Sequence, residues 1–374
     1  MWSPFQRNTT VSKTTAEPLL TLLETMFNEA IENLAKEGRQ IPETLQQELF
    51  NEQVETLPEQ RLAILLKNAP QMLKGHRSLE RAFQTRSFRR WRGAFDLFET
   101  IIVICGEVCE ANELEGRQDA IEGDDYIFEA LSGLAPRALL VAREILCLLR
   151  GGYADGAFSR WRTLHEIAVT ALFLASQDQE ISLRYLASFA YQSRHAAKQL
   201  NKYADRNSMQ PFSEKELADL EKHCAHFDGG LNPPFKGGDY DWAAPALNGR
   251  SANFAHIEEA VGLDHWRPYY RWASQHTHSA HRPSDRLLGM SEAVDVGALI
   301  GASNSGFFYP FQLTAHSLTK TVSAVLLYTP NLDRLVYVKI LMILVERLAA
   351  TALRLEANSL RRHRRTLNAT AEVG

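Results

Sequence analysis

The chain has 374 residues, 45% of them hydrophobic and 23% charged, with a formal net charge of −4. That balance excludes a disordered chain and supports one large or two medium domains around a real core. It also excludes a uniformly cationic surface, so nucleic acid would have to be met by a local basic patch.

In chain order, the opening MWSPFQRNTTVSKTT lacks a charged start followed by an apolar core, so no secretory leader is expected. Ala16 to Lys36 carries the 3.6-residue apolar repeat (Leu19, Leu22, Leu23, Met26, Phe27, Ala30, Ile31, Leu34), which predicts a helix stopped by Gly38. Pro42 and Pro58 open two short helices at their first turns. From Arg77 to Glu113 a long helical stretch begins with Arg77, Arg81, Arg86, Arg89, Arg90 and Arg92 set against one acid, Glu80. This is either a solvated arginine-rich face or a phosphate contact carried by Arg89, Arg90 and Arg92.

Residues 1–113 read as an N-terminal helical region, residues 114–125 (LEGRQDAIEGDD) as a polar linker or loop, and residues 126–374 as the main helical domain. Its helices are expected at Tyr126–Arg150, Ala154–Ser176, Glu180–Arg206 and Ser213–Cys224. Asp228 to Gly249, with two Gly pairs and Pro233-Pro234, is the least helical part of the chain. It is a lid carrying Tyr240, Asp241 and Trp242, or a surface excursion.

Helix resumes at Asn253–Val261 and from about His265 until Pro283. Ser291 caps a further stretch that Pro310 would kink, and a last helix runs from about Leu332 to Leu360 and ends in Arg361 to Arg365. Lys339, Glu346 and Arg347 interrupt its most apolar part, so it reads as a core helix and no membrane span is expected. No alternating strand pattern of useful length occurs, which makes the fold class all-α, a multi-helix bundle.

Chemistry concentrates in two places. After the Gly151-Gly152 break, Arg162 shares a helix face with Glu166, about 40° to one side, and His165, about 60° to the other, whereas Arg160 lies about 160° away. The remaining positions after Leu164, from Ile167 through Ala168, Val169, Ala171, Leu172 and Phe173 to Leu174, are apolar on every side, so charged groups there must be paired. In YYRWASQHTHSAHRP a continuous helix would align Arg271, Ser274, His278 and His281 in one stripe and leave His276 about 140° off. His278 and His281 with Glu166 have the composition of a divalent-metal site; the competing reading is histidines hydrogen-bonded in a polar helix interface.

Arg162, Leu164 and Glu166 (Arg-x-Leu-x-Glu), Tyr270, Ser274 and His278 (Tyr-x3-Ser-x3-His), and Tyr240 with Trp242 between them resemble a bacterial family of uncharacterised all-helical proteins, a domain of unknown function, over about Tyr126 to Tyr328. A looser likeness is to the HEPN superfamily, helical bundles that often act as metal-independent ribonucleases through an Arg, a spacer of four to six residues and a His. Arg160 to His165 fits by letter but splays its ends; Arg271 to His278 fits with both ends on one face, although Trp272 stands where a polar residue is usual. The likeness implies His278 as general acid or base, Arg271 steadying the phosphate, Ser274 beside them, a homodimer, and a toxin or phage-defence setting.

Arg162, Glu166, His165 and His281 then support the site. Three readings follow: a HEPN-like protein acting on RNA, a non-enzymatic interaction or regulatory protein with a buried polar lock, and a metal-dependent hydrolase using Glu166, His278 and His281. No phosphate loop, nucleophile elbow or dinucleotide fingerprint is present in the sequence, so no cofactor is expected. Cys105, Cys109, Cys147 and Cys224 form no CxxC pair, which fits a reducing cytoplasm.

Overall fold

Capping chemistry and apolar periodicity set the helices, as a computed structural model of the chain shows; it describes residues 22–228, 231, 238–247, 252–278, 281, 283, 286–292 and 298–371. Every regular element among these is helical: α1 Leu22–Lys36, α2 Glu43–Glu122, α3 Tyr126–Gly151, α4 Ala154–Ala175, α5 Gln179–Asn207, α6 Glu214–Asp228, α7 Phe254–Ala260, α8 Arg267–Ser274, α9 Phe308–Tyr328 and α10 Leu332–Ala371, with short 3-10 turns between. None of the described helices is long and apolar enough to cross a membrane.

The chain divides into two compact units, residues 2–86 and 87–374. In the first, α1 meets the start of α2 through Phe27 and Phe50, packed edge-on at 5.7 Å. Pro42 immediately precedes α2, as expected, but Pro58 lies inside it instead of opening a second helix, and so does Pro70. Each removes one backbone donor, and the surrounding helix formers carry the ladder past it. The stretch expected as a linker is also helical, to Glu122, because Arg117 pairs with Glu113 and Gln118 bonds Glu122 at i,i+4 spacing. Only residues 123–125 separate α2 from α3.

In the second unit Asp125 caps α3, accepting from the Phe128 amide at 3.0 Å, and its carboxylate also takes the Tyr328 hydroxyl at 2.8 Å. Burial works to raise the Asp125 pKa, but these bonds and one from Gln179 outweigh it and hold the carboxyl below its ordinary value. α3 ends at Gly152, whose φ of 87° is left-handed and turns the chain directly into α4.

α3, α4 and α9 pack against one another, with α10 on α9 and α5 on α3. Trp91, Phe95 and Phe98 of α2 stack and edge-pack on Phe307 and Phe311, and the Trp161 indole donates to Leu313 O and Ser317 Oγ of α9, both at 3.0 Å. α9 starts at Phe308, so Pro310 sits in its first turn and kinks nothing; the helix expected from Ser291 is not helical over residues 298–307.

Candidate functional site

α4 presents two polar networks, one dry and one half-open. In the dry one His165, 1% exposed, donates from Nε2 to Glu258 Oε1 at 2.7 Å, and Arg267 Nε lies 2.6 Å from Glu258 Oε2. Glu258 is fully buried on α7, whose start is fixed by Asn253 accepting from the His256 amide. The His165 ring stacks on Trp266 with centroids 6.0 Å apart, and the Arg267 guanidinium lies over Phe254 and Tyr270. A carboxylate with no water access is tolerable here because a cation and an imidazole N–H both reach it.

In the half-open network the Tyr270 hydroxyl of α8 donates to Glu166 Oε1 at 2.5 Å, Arg162 Nη2 lies 3.1 Å from the same oxygen, and the Arg162 guanidinium covers the Tyr270 ring at 4.9 Å. Burial pushes the Tyr270 pKa up, and the Glu166 carboxylate adds to it. Burial works to lower the Arg162 pKa, but its bond to Tyr270 and the charge of Glu166 raise it on balance. The two motifs noticed in the sequence therefore do meet, through Tyr270.

The expected catalytic stripe does not form. α8 ends at Ser274 with Gln275 as its cap, so His278 lies beyond the helix and the one-face relation to Arg271 is lost. From Gln275 onward the segment QHTH has no apolar side chain to bury, and packing no longer supports the helix. Ser274 Oγ donates to Tyr270 O in its own helix. Arg271, His278 and His281 are exposed.

His276, the histidine expected to be odd, is the one whose side chain is covered, 6% exposed, its Nδ1 3.4 Å from Asp155 Oδ1 and its ring edge-on to Phe158. Among the described residues no group of three or more His, Cys, Asp or Glu is placed to hold a metal ion. Arg160 turns to Glu144 of α3, as its angular separation from Arg162 requires.

Of the expected lid residues, Trp242 is a core residue, packed edge-on against Phe173 at 5.8 Å and Tyr185 at 5.1 Å. Asp241 Oδ2 accepts from the Gly238 amide, a local turn bond. Residues 238–247 are thus a pinned rim; residues 229–230, 232–237 and 248–249 of the expected loop lie outside the described residues. Arg90 is a structural residue: it is ion-paired with Glu292 and donates to Asn304 Oδ1 at 3.0 Å. Arg89 and Arg92 are exposed.

Beside Glu166 a cleft of about 510 Å³ opens between α3, α4, α5 and the rim. Its walls combine the aromatic Tyr185, Phe189, Tyr240 and Trp242 with Thr163, Glu166, Arg137 and Gln192. Tyr270 and Arg162 both engage Glu166 Oε1, and Oε2 has no hydrogen-bond partner among the described residues. The Tyr240 pKa is pushed up to about 12, chiefly by burial and then by the Glu166 and Asp239 charges, so its hydroxyl keeps its proton. Phe189 is 74% exposed at the mouth.

Glu258, Arg267 and Tyr270 were not among the sequence-derived site residues. The available signal was His165 itself, a buried polar residue that requires a partner. Residues 128–295 match the family of unknown function DUF5677, a span that holds α4, the rim, α7 and α8, and stops short of the expected Tyr328. No curated protein and no solved structure matches the chain.

Proposed function

We propose that the protein recognises a nucleobase-bearing ligand, single-stranded RNA in the first instance, with the base held in the cleft beside Glu166. The carrying observation is the pairing of aromatic faces with a fixed acceptor: Tyr185, Phe189 and Tyr240 line the same cleft as Glu166, whose Oε1 is anchored by Tyr270 and Arg162. An unstacked base offers a flat face for the first and edge N–H donors for the second. A volume of about 510 Å³ suits a ligand of that size. Arg137, exposed on the same wall, is available to a phosphate.

In this reading the dry network of His165, Glu258 and Arg267 is support: it holds α4, α7 and α8 in register so that Glu166 and Tyr240 keep their places. The lock expected from the sequence, Arg162 and Glu166 against Ser274 and His278, is a different set: those two residues meet Tyr270, while Ser274 bonds within its own helix and His278 is exposed.

The test is a titration of the whole chain with a labelled single-stranded RNA oligomer at fixed salt. Phe189→Ala removes an exposed side chain and leaves the core untouched. It should weaken binding by about 5- to 150-fold, the value of one stacked base. Equal affinity for wild type and variant, or equal binding of a blunt RNA duplex, removes the reading.

A further inference from the structure

Residues 43–86 of α2 hold a pattern that neither network uses. Leu62, Leu65, Ala69 and Met72 follow the 3-4-3 spacing of a coiled-coil seam, and Leu66 and Leu73, seven apart, widen it on one side. The five large side chains of this set are between 39% and 67% exposed, and every residue from Gln71 to Glu80 is exposed. Pro70 falls outside the a and d positions. A surface helix normally buries such a stripe, because exposed leucines forgo the free energy gained on leaving water.

The charges say what covers it. From Glu43 to Gln60 the helix carries Glu43, Glu48, Glu52, Glu55 and Glu59 and no Lys or Arg. From Arg61 to Arg86 it carries Arg61, Lys67, Lys74, Arg77, Arg81 and Arg86 against Glu80 alone. The apolar stripe lies between an acidic end and a basic end.

A second copy laid antiparallel over the stripe sets each acidic end against the other copy's basic end, with leucines meeting at the centre. A parallel copy would place Glu48, Glu52, Glu55 and Glu59 beside their own counterparts. The contact is isologous, so it closes as a dimer.

We infer that residues 48–86 of α2 form an antiparallel, self-complementary dimer seam with a second copy of this chain. Sedimentation equilibrium of the full chain measures it. Wild type should be dimeric at micromolar concentration, and Leu65→Glu with Met72→Glu should give a monomer of unchanged helicity, since both positions are exposed within the chain.

Glu55→Lys with Glu59→Lys should raise the dimer Kd about tenfold or more by setting like charges together. Adding Lys74→Glu and Arg77→Glu should return it to within about threefold of wild type by reversing both ends at once. A monomeric wild type, or a dimer that survives the Leu65 and Met72 changes, overturns the seam. A charge reversal that the second pair does not rescue overturns its antiparallel arrangement.

Discussion

Glu258→Ala should lower the unfolding free energy by about 3–5 kcal/mol, the cost of breaking a buried ion pair from one side. The size follows from what remains. His165 is 1% exposed and would keep its imidazole with no acceptor, and Arg267 would lose the carboxylate that its guanidinium approaches at 2.6 Å. Both would sit against the apolar rings of Trp266, Phe254 and Tyr270. Asp96→Ala breaks an ion pair whose partners are 73% and 60% exposed, and should cost under about 1 kcal/mol. Urea unfolding of the two variants beside wild type measures the difference, and similar midpoints would mean that the network is not what fixes α7 on α4.

Gly306→Ala should cost about 3 kcal/mol or more, from a different cause. The residue has φ of 77°, and an added Cβ would stand 2.3 Å from Leu288 O and 2.5 Å from Leu288 C, so backbone must move. That backbone is in use: the Leu288 and Gly289 amides donate to Asp155 at the start of α4, and Ser303 and Ser305 hydroxyls both donate to Gly289 O. Gly301→Ala is the matched control, with φ of 114° and open space around the Cβ. It should cost less than Gly306→Ala, on the order of 1–3 kcal/mol, the backbone penalty alone. Thermal melts separate the pair, and equal shifts would show that the close approach to Leu288 carries no energy.

These two sites also mark how far the sequence could be read. α3, α4, α5 and α7 were legible to within a few residues because each has a cap or a glycine stop at the end of a 3.6-residue apolar repeat: Asp125, Gly152, Asp178 and Asn253 do that work. The sequence divides α2 at Pro58 because proline is on average a breaker, whereas Pro58 costs only local hydrogen bonds in an exposed helix. The sequence extends α8 too far for the opposite reason: no Gly or Pro occurs between Arg271 and Arg282, and what marks its end is the unbroken polar run from Ser274 to Ser279.

The wheel that placed Arg162 and Glu166 together is a local relation and holds in the structure. The partner of His165 is 93 residues away, a separation that no periodicity reaches. Glu258 for that reason carries no sequence signal, and Tyr270 shows only as the first residue of the Tyr-x3-Ser-x3-His spacing. A helix wheel ranks residues on one element; it carries no information on which element comes to meet them.

Crosslinking tests the central claim most directly: a single-stranded RNA carrying 4-thiouridine is irradiated with the full chain, and the modified peptides are identified by mass spectrometry. A base held beside Glu166 should modify Tyr185, Phe189 or Tyr240 on the cleft wall, and Glu166→Gln should reduce the yield at those positions. Crosslinks confined to the Arg77 to Arg92 segment, with none in the cleft, would contradict the account.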